Sequence, residues 1–320
     1  MSIKPCQPRL LHTMEELSGR IVLAIGAFDG VHLGHQAILR RLVQAARESD
    51  ATPVALFFDP LPREVLFPGK PTKMLTPFRE KVRLMGEHGV EDVVVLPFTK
   101  ELAVLSPQQF VSSYLLANKQ LTIKAICIGE GWRFGAGNSG DVKLLDSLVS
   151  PFGIQVVEVP SECHAGTRIS SSWIRNVVSE GDLSLASALL GRPYSLCGAV
   201  THGKEMASGT LKCPTANISA DALQLPPYGV YAAWTVCGGS PPVPGIVYIG
   251  DAPTIRGEGN GHAIVEANLF GCSVNLYGRD ISVIPVRFLR GSITFPNPEA
   301  LSRQVARDVA AAKSALECKE

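Results

Sequence analysis

No apolar run in this chain approaches the roughly 18 residues of a membrane-crossing helix, which excludes a helical span. The opening segment, residues 1–10, lacks the apolar stretch of a secretory leader. The eight cysteines (6, 127, 163, 197, 213, 237, 272 and 318) include no C-x-x-C pair, and no histidine stands near them at zinc spacing. Cys163 is adjacent to His164, but neighbours in a strand point to opposite faces. Most of the cysteines are therefore expected to be small buried hydrophobes in a reducing compartment, with the cytoplasm as the address. Charge of one sign is also missing: 30 Lys and Arg face 29 Asp and Glu, a net +1. That balance argues against extended nucleic acid as a partner, because phosphate-backbone binding needs clustered cations.

What remains is a 320-residue chain, 46% hydrophobic and 18% charged, long enough for two domains with cores of their own. In the first half, apolar runs at 21–25, 54–58, 93–96, 125–128 and 156–159 alternate with helical patterns at 36–48, 78–88, 108–116 and 142–149. This predicts an α/β fold, an open parallel sheet of Rossmann-like type with helical crossovers. Ligands in such sheets bind at the carboxyl ends of the strands, and residues 26–30, 59–62 and 129–137 fall at three of them. A helical stretch at 173–190 is stopped by Gly191-Arg-Pro193. Beyond it, short strands at 196–201, 230–236, 245–249, 263–269 and 281–289, separated by Gly and Pro, predict a small β-barrel. Asn297 followed by Pro298 opens a closing helix whose Leu301, Val305, Val309 and Ala312 face the barrel. The expected domains are 1–190 and 191–320.

The densest chemistry lies in Gly26-Ala-Phe-Asp-Gly-Val-His-Leu-Gly-His-Gln36. A strand, a Gly-rich turn and a helix N-terminus in that order form a phosphate-binding corner. His32 and His35, three apart, share one side of the first helical turn and can donate to one phosphoryl group. Gly34 lets the nucleotide approach the backbone closely, and Asp29 is expected exposed beside Gly26, Phe28 and Gly30. The chemistry implied is nucleotidyl transfer from ATP, driven by positioning and charge stabilisation, with Mg²⁺ bridging phosphate oxygens. A second anion site is expected at Arg168-Ile-Ser-Ser-Ser-Trp-Ile-Arg175, where Arg168, Ser170, Ser171 and Arg175 would hold the β- and γ-phosphates. In the second half, Thr215 and Asn217 offer oxygen donors for Mg²⁺ and phosphate, and Glu266 is a candidate base on a strand.

These motifs resemble the bifunctional bacterial riboflavin kinase/FMN adenylyltransferase family, also called FAD synthetase, over nearly the whole chain. In the first half the resemblance rests on the histidine motif, on Phe58-Asp-Pro-Leu-Pro-Arg-Glu64, on residues 129–141 and on residues 168–175. It implies that this half joins AMP from ATP to FMN, giving FAD and pyrophosphate. His32 and His35 would then be the adenylyl-transfer histidines, and Phe58, Pro60 and Pro62 would border the flavin. Two departures stand out: Leu61 replaces the family's usual His, and Gly131-Trp132 replaces an Asp-Phe pair. Trp132 keeps an aromatic surface for stacking, and Glu130 offers a neighbouring carboxylate.

In the second half, Pro214-Thr-Ala-Asn217, Pro227-Tyr-Gly-Val-Tyr231, Gly250-Asp-Ala-Pro-Thr254, Val265-Glu266 and Leu276-Tyr-Gly278 resemble the flavokinase barrel. The implied reaction carries the ATP γ-phosphate to the ribityl 5′-hydroxyl of riboflavin. Here too there are departures. Lys212 stands where the family's loop has Gly, and Asn268-Leu-Phe-Gly-Cys272 lacks a flavin-contacting Asp. The substrates implied are ATP, FMN and riboflavin, with no nucleic-acid or membrane partner and no oligomeric state indicated. Two alternatives differ from this reading: a nucleotidyltransferase acting on another phosphate ester, and a barrel that binds flavin or assists assembly without catalysis.

Overall fold

The computed structural model describes residues 6–69, 72–201, 215–251, 263–271 and 276–317. The chain divides into two compact units, one drawn from Met1–Thr72 and Phe78–Ser171, the other from Lys73–Pro77 and Ser172–Glu320.

In the first unit, apolar runs that are buried on both faces become parallel strands. They are β1 (Arg9–Leu11), β2 (Gly19–Ile25), β3 (Thr52–Phe58), β4 (Asp92–Leu96), β5 (Leu121–Gly129) and β6 (Gln155–Val159), in the order β1-β4-β3-β2-β5-β6. Five of them match the expected runs; β1 is an additional edge strand, paired parallel with β4. Alternation along each strand feeds two cores. Ile21, Leu23, Ile25, Val54 and Leu56 pack on one face, while Val22, Ala24, Ala55 and Phe57 pack on the other.

The helix α1 (Leu33–Glu48) lays Ile38, Leu39 and Leu42 into the second core. Short α2 (Pro62–Leu66) follows β3, and α3 (Phe78–Glu87) buries Leu84 and Met85. The expected helix at 108–116 is instead α5 (Pro107–Phe110) running into a π-helical turn, Val111–Leu115, after the single turn α4 (Lys100–Ala103). Helix α6 (Val142–Val149) lies beneath the first core through Leu145 and Val149. A two-stranded hairpin, β7 (Cys163–His164) and β8 (Thr167–Arg168), ends the unit. Because β2 pairs with β3 on one side and β5 on the other, the strand order reverses at β2. The crevice at the carboxyl ends of β2 and β5 is the topological switch point, where open α/β sheets bind ligands.

The stretch expected to be helical at 173–190 is two helices, α7 (Ser171–Glu180) and α8 (Leu183–Leu190), separated at Gly181, whose φ of +86° suits glycine. The second unit then closes a barrel from β9 (Leu196–Thr201), β10 (Thr215–Ser219), β11 (Gly229–Cys237), β12 (Val243–Asp251), β13 (Ala263–Leu269) and β14 (Asp280–Arg290), in the order β10-β13-β12-β11-β14-β9. Ala216, Ile218, Val247, Ile249, Val265 and Ala267 are buried, leaving the alternate positions to the outer face. The last helix, α9 (Pro298–Glu317), is capped by Asn297, whose Oδ1 accepts from Ala300 N–H at 2.8 Å. Val305, Val309, Ala312 and Leu316 pack on Val230, Ala232 and Ile246 of the barrel wall, while Leu301 falls outside that cluster. Arg290 and the buried Asp308 tie α9 to β14 through a two-pronged ion pair.

The expectation of mostly buried cysteines holds for Cys127 and Cys197 but not for Cys6 and Cys163, which are exposed; Cys237 is half-buried. Both exposed thiols sit outside the strands that form the cores. Cys213, Cys272 and Cys318, and the loop containing Lys212, lie outside the described residues.

Candidate active sites

The corner expected after the first strand is built by an unusual run of backbone angles. Phe28, Gly30 and Val31 have φ of +51°, +87° and +40°. Such values are free for Gly but strained for Phe and for β-branched Val. Neighbouring hydrogen bonds hold the turn: Val31 N–H donates to the Phe28 carbonyl at 3.1 Å, and Gln36 Nε2 to the Val31 carbonyl at 2.9 Å. His32 is the N-cap of α1, its Nδ1 accepting from His35 N–H at 3.4 Å. The two imidazoles stack with centroids 3.7 Å apart. His35 Nδ1 is buried and has no hydrogen-bond partner among the described residues. Burial, with His32 and Lys81 close by, holds His35 well below the usual imidazole range.

Gly26 and Gly34 are the close-approach glycines. A Cβ at Gly26 would press on the Phe28 ring at 3.2 Å, and one at Gly34 would stand 3.1 Å from His32 Cε1. Two expectations need correction. Phe28 is fully buried and packs its ring 5.3 Å from His35, so its side chain supports the histidine instead of facing a ligand. Asp29 is 2% exposed, and its charge opposes that of the buried Lys81 ammonium.

The second anion motif meets the first. Ser171, at the start of α7, donates from Oγ to the Asp29 carbonyl at 2.8 Å. Ser170 beside it is half-buried. Arg168 is exposed on β8, donating from Nη2 to the Glu130 carbonyl at 2.9 Å. Arg175 belongs to the second unit, where its Nε donates to the Lys73 carbonyl at 2.7 Å.

Gly26 and Ala27 also border a cavity of about 420 Å³ at the switch point. Phe58, Pro62 and Trp132, all expected at a flavin, line it; Pro60 is exposed and does not. Sequence reasoning missed Phe98, Phe110 and Phe134, which complete an aromatic wall. Trp132 stacks on Phe134 at 4.8 Å, and Phe58 meets Phe98 edge-on at 5.5 Å. Large apolar walls with few polar groups suit a planar aromatic ligand. Glu130 does not supply the carboxylate for this cavity. Its Oε2 accepts from Ser161 N–H at 3.1 Å, and hydrogen bonds from Ser161 lower its pKa.

In the barrel, register gathers the second constellation. Asn217 on β10 lies opposite Glu266 on β13, which lies opposite Tyr248 on β12. Directly paired residues share a face, so the three form one row on the outer wall. Burial raises Glu266 above the usual carboxylate range. Thr215 opens β10, two residues before Asn217; its side chain lies outside the described residues. Residues 252–254 of the Gly250–Thr254 motif lie outside them as well. No group of three His, Cys, Asp or Glu among the described residues could hold a metal by itself. No helix among them is long and apolar enough to cross a membrane.

Comparison with known proteins divides the chain in a similar way. The FAD synthetase family model matches residues 14–173, and the riboflavin kinase model matches residues 190–316. The bifunctional riboflavin kinase/FMN adenylyltransferase of Escherichia coli (strain K12) is 36% identical over 287 residues, 90% of each chain. That of Haemophilus influenzae is 34% identical over 306 residues, 96% of this chain and 97% of its own. A crystal structure described as a macrolide-efflux protein from Streptococcus pneumoniae superposes with a TM-score of 0.76 at 25% identity, covering 95% of this chain and 97% of that one. With a histidine corner and aromatic cavity in one unit, a flavokinase barrel in the other, and relatives matched across both, the chain belongs to the bifunctional riboflavin kinase/FMN adenylyltransferase family.

Proposed function

We propose that this chain phosphorylates riboflavin to FMN and adenylylates FMN to FAD, both at the expense of ATP, in the cytoplasm. Residues 1–190 carry the adenylyl transfer and residues 191–320 the phosphorylation. The observation that carries this reading is the sharing of Gly26 and Ala27 between the histidine turn and the aromatic cavity. A flavin in the cavity presents its phosphate to a nucleotide held at the turn.

In the first reaction an FMN phosphate oxygen attacks the α-phosphorus of ATP, a new P–O–P linkage forms, and pyrophosphate leaves. His32 and His35 meet the α-phosphate, and the neutral state favoured for His35 leaves it free to accept or donate one hydrogen bond as charge builds. Ser170, Ser171 and Arg168 are assigned to the β- and γ-phosphates, Gly34 to close backbone approach, and Phe58, Pro62 and Trp132 to the flavin. In the second reaction the ribityl hydroxyl attacks the γ-phosphorus and ADP leaves. Glu266, a stronger base for its raised pKa, takes the hydroxyl proton. The oxygen-donor character of Asn217 beside Glu266, with Thr215 on the same strand, fits a hard cation held jointly by protein and substrate phosphates. Mg²⁺ bound there would neutralise phosphate charge.

Two substitutions test the division of labour. His35→Ala is expected to abolish FAD formation from supplied FMN while riboflavin phosphorylation continues, and Glu266→Gln to do the reverse. Joint loss of both activities from a folded variant of either kind would contradict two separate sites.

A further inference from the structure

Glu158 is exposed near the end of β6 and belongs to neither core of the first unit. Its strand pairs with β5 as far as Gly129 opposite Val159, and the Glu130 N–H still reaches the Val159 carbonyl at 2.9 Å. One residue farther on, a side chain replaces the backbone as acceptor: the Gly131 N–H donates to Glu158 Oε1 at 3.2 Å. The same peptide is held at its other end, where Arg168 Nη2 donates to the Glu130 carbonyl at 2.9 Å. The 130–131 peptide is trans, so its carbonyl and N–H point opposite ways. A cation and an anion therefore grip it from opposite sides.

That peptide is the middle of a turn. The Trp132 N–H donates to the Gly129 carbonyl at 3.1 Å, and Gly131, the third residue, has a φ of +70°. This is the type II arrangement; in type I the middle peptide is turned over. Rotation of that one peptide would break both clamping bonds, and a turn free to sample the two forms would hold its last residue less firmly. The last residue is Trp132, which lines the aromatic cavity and lies parallel to Phe134. Both clamping side chains are exposed, and exposed charged contacts add little to global stability. Their effect is local, on the turn that carries the cavity's tryptophan.

We propose that Glu158 is a positioning residue of the adenylyl-transfer site: with Arg168 it locks the 130–131 peptide and so fixes the Trp132 ring against the flavin. The inference rests on the adenylyl-transfer reading given above. Arg168 is also assigned to phosphates, so Glu158, which is assigned to no substrate, separates the two tasks.

The test compares Glu158→Ala and Glu158→Gln with the unsubstituted enzyme. In Glu158→Ala, KM for FMN in FAD formation is expected to rise about three- to fivefold, part of a stacking contribution, with kcat and KM for ATP unchanged. Glu158→Gln keeps an acceptor oxygen and should recover most of the loss. Riboflavin phosphorylation should be unchanged in both and reports that the chain is folded. Gly131→Ala attacks the turn from within: its Cβ would meet nothing closer than Arg168 Nη1 at 3.8 Å, yet it forces a side chain into the left-handed region, so it too should raise KM for FMN alone. In parallel, protein labelled with ¹⁵N-tryptophan gives indole signals from Trp132, Trp173 and Trp234, with Trp132 assigned by its loss in Trp132→Phe. The Trp132 signal should move in Glu158→Ala while the other two stay. An unmoved Trp132 signal, an unchanged KM for FMN, or an equal rise in KM for ATP overturns the proposal. So does a Gly131→Ala enzyme with unchanged KM for FMN, even if Glu158→Ala fails to fold. Absence of FAD formation by the unsubstituted enzyme would instead remove the adenylyl-transfer reading, while the indole signals still score Glu158 as the residue that sets Trp132.

Discussion

The imidazoles of His32 and His35 lie face to face, with centroids 3.7 Å apart and planes 21° from parallel. The residue that allows this is Gly34, which lies between them in sequence and carries no Cβ to crowd the His32 ring. Gly34→Ala therefore sets two effects against each other. Ala favours a helix over Gly by about 1 kcal/mol, so thermal stability should hold or rise slightly. The added methyl, 3.1 Å from His32 Cε1 and 3.2 Å from Nδ1, pushes the imidazole from its seat. FAD formation is expected to drop about 100-fold, as displacements near 1 Å can cost that much. Steady-state assays beside thermal unfolding check the split; a destabilised variant with full activity would contradict it.

Trp132 supplies the broadest face of the aromatic cavity and is kept parallel to Phe134, 14° between planes. Trp132→Ala removes that face, and KM for FMN in adenylyl transfer should rise about tenfold, the upper end of an aromatic stacking contribution. Trp132→Phe keeps a ring and should lose less. Riboflavin phosphorylation, performed by the barrel, should not change in either variant. An equal rise in KM for ATP in Trp132→Ala would show that the cavity is not selective for the flavin.

Much of this arrangement is legible in the sequence, for reasons that also explain the gaps. The sheet is readable because runs such as 21–25 and 54–58 are apolar throughout, the signature of burial on both faces. β1 escapes notice because only Leu11 of its three residues is buried. β10 carries the Thr215-Ala-Asn217 motif, and its strand character lies in just two inward residues, Ala216 and Ile218. Phe98, Phe110 and Phe134 look like ordinary core residues until strand order brings them to one crevice, which periodicity does not encode. Asp29 reads as exposed because its counter-charge, Lys81, comes from a distant helix. A lysine among the apolar positions of α3 was the signal available for it.

Glu266 couples function to stability through its burial. Its folded-state pKa is raised above the unfolded value, so its contribution to stability is complete below the unfolded pKa and is lost as pH rises through the folded one. Glu266→Gln stays neutral at every pH. Its unfolding temperature should match that of the unsubstituted protein near pH 4 (about the ordinary Glu pKa) and exceed it at about pH 8. Riboflavin phosphorylation should meanwhile fall at least about 100-fold, the range of a lost general base. Thermal scans at both pH values, paired with FMN production, read the two effects. A variant that gains nothing at the higher pH would mean that burial is not what shifts Glu266.

The ion pair between Arg290 and Asp308 is the remaining place where one substitution should decide the fate of the barrel unit. Arg290 Nε and Nη2 reach Asp308 Oδ2 at 3.0 and 2.8 Å, and Gln304 Nε2 donates to Oδ1 at 2.9 Å. Asp308 is 4% exposed. Removing the cation leaves a buried carboxylate without its counter-charge, so Arg290→Ala should destabilise by about 3–5 kcal/mol. Replacing both partners with apolar residues, Arg290→Met with Asp308→Leu, removes the desolvation penalty along with the attraction and should recover most of that loss. The comparison is best made by thermal inactivation, following riboflavin phosphorylation and FAD formation in the same samples. The single variant should lose phosphorylation at a distinctly lower temperature, and the double variant should approach the unsubstituted protein. If the double variant is as weak as the single one, packing of the Arg290 stem, and not its charge, fastens α9 to the barrel.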